Sequence, residues 1–377
     1  LRLLYALGCR STRRGTRPRG DIVVIVSKQH YTYKKTASGI KRTILTIKRI
    51  MINANITGIA SYTPDYVLTN DELSTMVDTN DEWITTRVGI KERRILKEPH
   101  AGSSYMGVRA LNKLLKETGT RAEEIELIIC ATSNSDYRFP STASIIAYQC
   151  GATNAYAYDI QAACAGFVVS MQSASAYIKS GLYKKIVVIA AEKMSSMTNY
   201  KDRTTCPLFG DAAVAVLVEP TEENIGVIDG VFHVNGEGLP HLLMKAGGSV
   251  NPATVENVQA DEHYVYQEGR AVYKHAVTDM YESSKEIMAR NGLTVDNIDW
   301  FIPHQANLRI IEAVGSRLGV APEKVLVNIQ HYGNTSAASI PLCIDEYKGR
   351  LKKGDKIVLT AFGAGFTWGA MYLIWGI

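Results

Sequence analysis

The chain has 377 residues, with 46% hydrophobic residues, 21% charged residues and a formal charge of +5, a balance that excludes a disordered or fibrous chain and leaves room for two core-forming units or one duplicated one. Of its 42 Lys and Arg and 37 Asp and Glu, residues 1–50 hold thirteen basic residues and one acid, Asp21, which leaves 29 against 36, a net −7, for the rest. The bulk positive charge is therefore no argument for a nucleic-acid-binding protein, and only the segment before Met51 could support one.

The leader opens LRLLYALGCRSTRRGTRPRG, rich in Arg and poor in acids. Three readings stay open: an organellar transit peptide, a basic arm, or sequence upstream of a true start at Met51. The third is preferred, because at Met51 the text changes into MINANITGIASYTPDYVLTNDEL, a strand-like start to an acid-richer domain. Residues 1–50 are then expected to be disordered or not native, and a chain starting at Met51 to keep full activity. The longest apolar runs, such as residues 186–191, fall far below the ~18 residues that span a bilayer. Six scattered cysteines show no metal or disulfide spacing. These features lead to the expectation of a soluble cytoplasmic protein without metal or membrane.

In chain order, apolar spacing predicts a helix over 103–118, a β-run over 127–131, a helix over 166–180 closed by Gly181, a strand over 184–191 and a β-run over 212–218. A surface connection over 232–267 leads to a helix over 272–291, a β-run over 300–303, a helix over 335–348 closed by Gly349, and β-runs over 355–362 and 367–375. Residues 119–134 (GTRAEEIELIICATSN) match residues 292–307 (GLTVDNIDWFIPHQAN) at an offset of 173, and KKIVVIAA at 184 echoes DKIVLTAF at 355. Two echoes in order imply a duplicated α/β unit, with halves 51–220 and 221–377 and mainly parallel strands covered by helices.

Three polar residues fall where predicted strands end, the edge at which open α/β sheets bind ligands: Cys164 in YDIQAACAGF, His304 in PHQAN and Asn334 in GNTSAAS. Cys164 precedes a helix, whose free N–H groups and dipole favour thiolate. Counting back from the following strand makes Asn334 its counterpart in the second half. The turn FGAGFTWG at 362–369 lacks phosphate-loop spacing and suits an oxyanion donor.

QAACAGF, PHQANLRII, GNTSAAS, FGDAA and FGAGFTWG, in that set, resemble β-ketoacyl-acyl-carrier-protein synthase III, the initiating condensing enzyme of type II fatty acid synthesis, over residues 52–377. The resemblance implies the thiolase fold, a duplicated five-layered α/β/α/β/α arrangement. It implies Cys164 as nucleophile, assisted by His304 and Asn334, with backbone N–H groups of Cys164 and Ala364 as oxyanion donors. Trp83, Arg87 and Arg203 match residues that flank the adenine of coenzyme A, and Phe139 one that closes the acyl pocket across a homodimer. Lys274, Arg309, Arg317 and Gln305 are expected to dock the acyl carrier protein. No cofactor is implied beyond the acyl-CoA substrate. Ala364 within the glycine turn and Arg270, where a small amide is usual, depart from the pattern.

Rival readings are 3-hydroxy-3-methylglutaryl-CoA synthase, a biosynthetic thiolase, a plant-type polyketide synthase, a non-catalytic acyl-binding protein and a Cys-His-Asn hydrolase. Thiolases need a second catalytic cysteine, and Cys343 lies in no suitable turn; the chain-extending synthases carry His where this chain has Asn334.

Overall fold

The computed structural model describes residues 52–377 together with the strands β1 (Ile22–Val26), β2 (Gln29–Thr36) and β3 (Gly39–Ile44). These three strands pair antiparallel in a unit of residues 1–51. The reading of 1–50 as disordered or not native otherwise lies outside the described residues.

In the unit Ile52–Ile377 the strands are β4 (Asn53–Tyr62), β5 (Val67–Thr69), β6 (Glu92–Arg94), β7 (Leu127–Ala131), β8 (Tyr156–Ile160), β9 (Ile186–Glu192), β10 (Ala212–Thr221), β11 (Gly226–Val234), β12 (Leu242–Met244), β13 (Val265–Gln267), β14 (Trp300–Pro303), β15 (Lys356–Gly363) and β16 (Thr367–Ile374). Nine of them run in the order β14-β15-β16-β11-β4-β10-β9-β7-β8. The duplication is visible in that order: β4-β10-β9-β7-β8 and β11-β16-β15-β14 repeat one pattern outward from a junction where Val227 pairs with Ala54. In the second half the place of β8 shrinks to a single parallel bridge between Phe301 and Val325.

The strands are less parallel than alternation predicts. The pairs β7–β8, β7–β9 and β14–β15 are parallel, whereas β4–β10, β10–β9, β11–β16 and β15–β16 are antiparallel. Each half closes on a strand that returns without a crossover α-helix, and such a return is antiparallel.

Alternation along β9 assigns the layers. Ile186, Val188 and Ala190 face an inner core, and Val187, Ile189 and Ala191 an outer one, because successive strand side chains point to opposite faces. Burial on both faces explains the unbroken apolar run, each side chain contributing ~1.5–3 kcal/mol. The inner core takes Phe167, Met171 and Ile178 from the helix Gly166–Ser180, Ile340 and Ile344 from the helix Ser339–Tyr347, and Leu359 and Met371 from β15 and β16. The helix Ser103–Thr118 covers the first outer face through Met106, Leu111 and Leu114. The helices Gly269–Arg290 and Leu308–Leu318 cover the second through Met280, Ile287, Ile310 and Val314. Five layers result, as the resemblance implies.

Gly181 ends the helix Gly166–Ser180 in the left-handed conformation, φ 76°. Gly349 does not play that part: the second-half helix stops at Tyr347 with Lys348 still right-handed, φ −53°. The connection over 232–267 is also more than a surface excursion, since β12 and β13 pair within it.

Candidate active site

Cys164 sits in a 3-10 turn, Ala163–Ala165, that begins on Ala163 at φ 45° and leads into the helix Gly166–Ser180. A matching turn, Ser336–Ala338, begins on Ser336 at φ 52° and leads into Ser339–Tyr347. Ala163 and Ser336 are separated by the repeat's own offset of 173 residues. The counterpart of Cys164 is therefore Ala337, and Asn334 corresponds to Gln161, which corrects the equivalence drawn from spacing. The second-half helix is 9 residues long against 15 in the first, so counting back from the next strand slips the register.

Small residues around Cys164 reflect how closely these turns approach. A Cβ on Gly166 would meet the Cβ of Ala337 at 3.2 Å, and a Cβ on Gly363 would lie 2.6 Å from the Cys164 nitrogen. The end of β15 thus presses against the backbone of the thiol-bearing turn, and only glycine fits there.

A cavity of about 1110 Å³ opens at this junction, lined by Cys164, His304, Asn334 and Ala364 and reaching Trp83 and Arg87. Cys164 follows β8, His304 follows β14 and Ala364 follows β15, all at strand C-termini as expected. Leu243 and Met244 of β12 and Val265 of β13 form one wall, a contribution that the sequence reading missed. Cys343 is fully buried in its helix and does not line the cavity, so it is not placed as the second cysteine a thiolase needs.

His304 is buried and anchored by its N–H to the Thr360 carbonyl at 2.8 Å. Its Nδ1 lies 2.6 Å from the Ser339 Oγ, which also accepts the Gln305 N–H at 3.4 Å. When the Ser339 hydroxyl donates to Nδ1, the ring hydrogen lies on Nε2. Burial pushes the imidazole down to about 3, so it is neutral at working pH.

Asn334 is tied by its N–H to the Leu208 carbonyl at 2.7 Å and by its carbonyl to the Gly210 N–H at 3.1 Å. Its Oδ1 accepts the Ser336 N–H at 2.8 Å, which leaves the amide NH2 as a donor for the cavity. Two neutral donors, His304 and Asn334, thus line the same space as the thiol.

The Cys164 thiol is pushed up to about 12, chiefly by burial; the Ser336 hydroxyl and its own N–H oppose the rise, and Glu192 adds to it. Donors at the helix start act in the expected direction, but desolvation outweighs them and the resting group is the thiol.

The remaining predicted residues divide. Arg203 stacks over the Trp83 ring at 5.0 Å and reaches Asp78 at 3.3 Å. Arg87, Arg270 and Arg309 are exposed residues on the cavity wall, and Lys274 lies one turn from Arg270. Arg309 and Arg317 lie over Tyr273 and Tyr281 at 5.7 and 4.0 Å, so one face of two helices gathers the basic residues. Phe139 is 85% exposed and does not line the cavity. Gln305 is a correction: it is buried, donating to the Pro303 and Leu326 carbonyls and accepting the Asn328 N–H, so it braces the turn after β14 and offers nothing to a docking partner. The FGD motif is architectural, with Asp211 accepting from Leu96 and Ser195 and a Cβ on Gly210 colliding with the Tyr332 carbonyl. Sequence reasoning also missed Ser336, Ser339 and Glu192, whose only signal is polarity next to the motifs.

The family described as 3-oxoacyl-[acyl-carrier-protein (ACP)] synthase III matches residues 158–236, and its C-terminal region matches residues 288–375. The beta-ketoacyl-[acyl-carrier-protein] synthase III 2 of Bacteroides thetaiotaomicron is 57% identical over 325 residues, 86% of this chain and 97% of the relative. The beta-ketoacyl-[acyl-carrier-protein] synthase III of Porphyromonas gingivalis W83 is 57% identical over 324 residues, with the same coverage of 86% and 97%. The crystal structure of 3-oxoacyl-[acyl-carrier-protein] synthase III from Aquifex aeolicus is similar at TM-score 0.79 and 42% identity, covering 85% of this chain and 100% of that one. The chain belongs to the β-ketoacyl-acyl-carrier-protein synthase III family, the thiolase-fold acyltransferases that carry out the initiating condensation of fatty acid synthesis.

Proposed function

We propose that this protein condenses a short acyl-CoA with malonyl-acyl carrier protein through an acyl-Cys164 intermediate. The observation that carries the reading is the convergence of Cys164, His304, Asn334 and the turn at Ala364 on one cavity that extends to Trp83 and Arg87. The Cys164 sulfur attacks the thioester carbonyl, the N–H groups of Cys164 and Ala364 hold the oxyanion, and coenzyme A leaves as the thiolate. Trp83 and Arg203 stack on and pair with the nucleotide end of the coenzyme, beside Arg87.

Malonyl-carrier protein then enters the emptied cavity. Its carboxylate leaves as carbon dioxide, and the electrons of the broken bond form an enolate whose oxygen accepts from Nε2 of His304 and from the Asn334 amide. The enolate carbon attacks the acyl-cysteine, a second oxyanion collapses, and Cys164 is released with a 3-oxoacyl-carrier protein. A neutral His304 suits this task, since a donor held neutral needs no counter-charge in a buried site.

Arg270, Lys274, Arg309 and Arg317 form the docking face for the acidic carrier protein. Phe139 reaches into a second copy of the chain to close its acyl pocket, and its bulk favours a short primer. The protein works as a cytoplasmic homodimer without further cofactor. A panel of acetyl-, propionyl- and branched acyl-CoA primers assayed with malonyl-carrier protein tests the reading. Condensation with at least one short primer is expected, and release of free acid without condensation would refute it in favour of a hydrolase.

A further inference from the structure

β9 ends on Glu192, a carboxyl group with no exposed surface. Its partners are neutral: the Ser133 N–H at 3.0 Å, the hydroxyls of Ser133 and Thr132 at 3.2 and 3.5 Å, and the Ser336 hydroxyl at 2.9 Å. An ionised carboxylate held only by neutral donors is costly to bury. The Ser336 hydroxyl that donates to Glu192 belongs to the turn packed against that of Cys164, and both residues line the cavity. The Ser336 backbone is held by its left-handed conformation and by its N–H to Asn334, and its hydroxyl by the bond to Glu192.

We propose that Glu192 is the proton acceptor for Cys164, reached through the hydroxyl of Ser336. The proposal rests on acyl transfer to Cys164 as the reaction of this site. As the sulfur forms its bond to the acyl carbonyl carbon, the thiol proton passes to Ser336 Oγ, and the Ser336 hydroxyl proton passes to Glu192 Oε1. The carboxylate becomes the acid, the carbonyl electron pair moves to the oxyanion, and its return breaks the bond to coenzyme A. The departing thiolate takes up one proton, which balances the one lost from Cys164.

This gives the half-buried Cys164 thiol, whose surroundings favour its neutral form, a route to activation. Burial also lifts Glu192 to about 7, where a carboxyl group can accept and return a proton near neutral pH. Its charge is felt by the thiols of Cys164 and Cys130, and Cys130 is fully buried on β7 and does not line the cavity.

Two variants of the full chain test the relay. Glu192→Gln keeps an oxygen for the Ser133 N–H and an NH2 group for the hydroxyls, yet cannot take a proton. Ser336→Ala removes the bridge and leaves the Ser133 bonds to Glu192; Ala163, at φ 45° in the matching turn, shows that alanine holds such a backbone. Alkylation of Cys164 by iodoacetamide and single-turnover release of coenzyme A from acetyl-CoA are followed from about pH 5.5 to about pH 9. Wild type is expected to show an inflection near neutrality in both, and each variant to lose it and react about 100-fold more slowly at pH 8. Variant profiles that superimpose on an acylating wild type overturn the relay. A wild type that takes up no acyl group from any primer, yet alkylates with the same inflection, refutes the reaction and leaves the relay standing. Should Glu192→Gln not fold, Ser336→Ala decides alone.

Discussion

The Ser339 hydroxyl lies 2.6 Å from Nδ1 of His304 and sets which ring nitrogen carries the hydrogen. Ser339→Ala removes that choice while leaving the imidazole buried. A buried hydrogen bond of this kind is worth ~1–3 kcal/mol, so condensation should slow about 10-fold or more. Acylation by acetyl-CoA, which does not use His304, should stay within about two-fold of wild type. Single-turnover measurement of each step checks this, and equal losses in both would show that Ser339 only holds the fold.

Asn334→Ala removes one of the two donors to the enolate. Condensation is expected to fall about 100- to 1,000-fold with acyl-Cys164 still forming, as detected by intact mass. Normal condensation without this amide would sink its assignment.

At Gly363 a single methyl group is decisive. The 2.6 Å approach to the Cys164 nitrogen means that Gly363→Ala must displace the turn carrying the nucleophile. Acylation should fall sharply, and the melting temperature should drop by the several degrees expected from ~1–3 kcal/mol of overpacking.

Glu192 also leaves a signature in stability. Its folded-state value of about 7 lies above the ordinary 4.5, so the folded state binds the proton more tightly than the unfolded one. Stability from this group is complete below about pH 4.5, is lost as pH rises towards about 7, and is flat above. Glu192→Gln should therefore gain stability relative to wild type on moving from pH 4 to pH 8, by up to about 3 kcal/mol, in urea unfolding at the two values.

Arg203 stacks over Trp83 at 5.0 Å, and Trp83 lines the cavity that also holds the thiol. Arg203→Ala should raise KM for the acyl-CoA about 3- to 30-fold with kcat nearly unchanged, the pattern of lost uniform binding. A fall in kcat with KM intact would place Arg203 in the chemistry instead.

Much of the architecture is legible in the text because burial leaves local periodic marks. The run at Ile186 reads as a buried strand, and the three-and-four spacing of Met106, Ala110, Leu111 and Leu114 reads as a helix. Strand direction is harder to read: β10 and β16 look like the other strands, and only the missing crossover helices show that they return antiparallel. The catalytic motifs are legible as residue types at strand ends, but their pairing slipped, since the unequal helices after the two turns hid Ala337 as the counterpart of Cys164. Gln305 misled for a similar reason, as a polar residue beside a motif looks available until the neighbours that use its amide are known.

By itself the sequence determined that a body of net charge −7 follows fifty strongly basic residues, that the body is a duplicated α/β unit, and which thiol, imidazole and amide stand at its strand ends. These are properties of composition, periodicity and order along the chain. Tertiary structure alone decided that desolvation raises the Cys164 thiol, that the Ser339 hydroxyl sits against Nδ1 of His304, and that Glu192 meets Ser336 across 144 residues of chain. Each depends on which groups the packing of the two halves brings together and shields from water, and no local pattern encodes that.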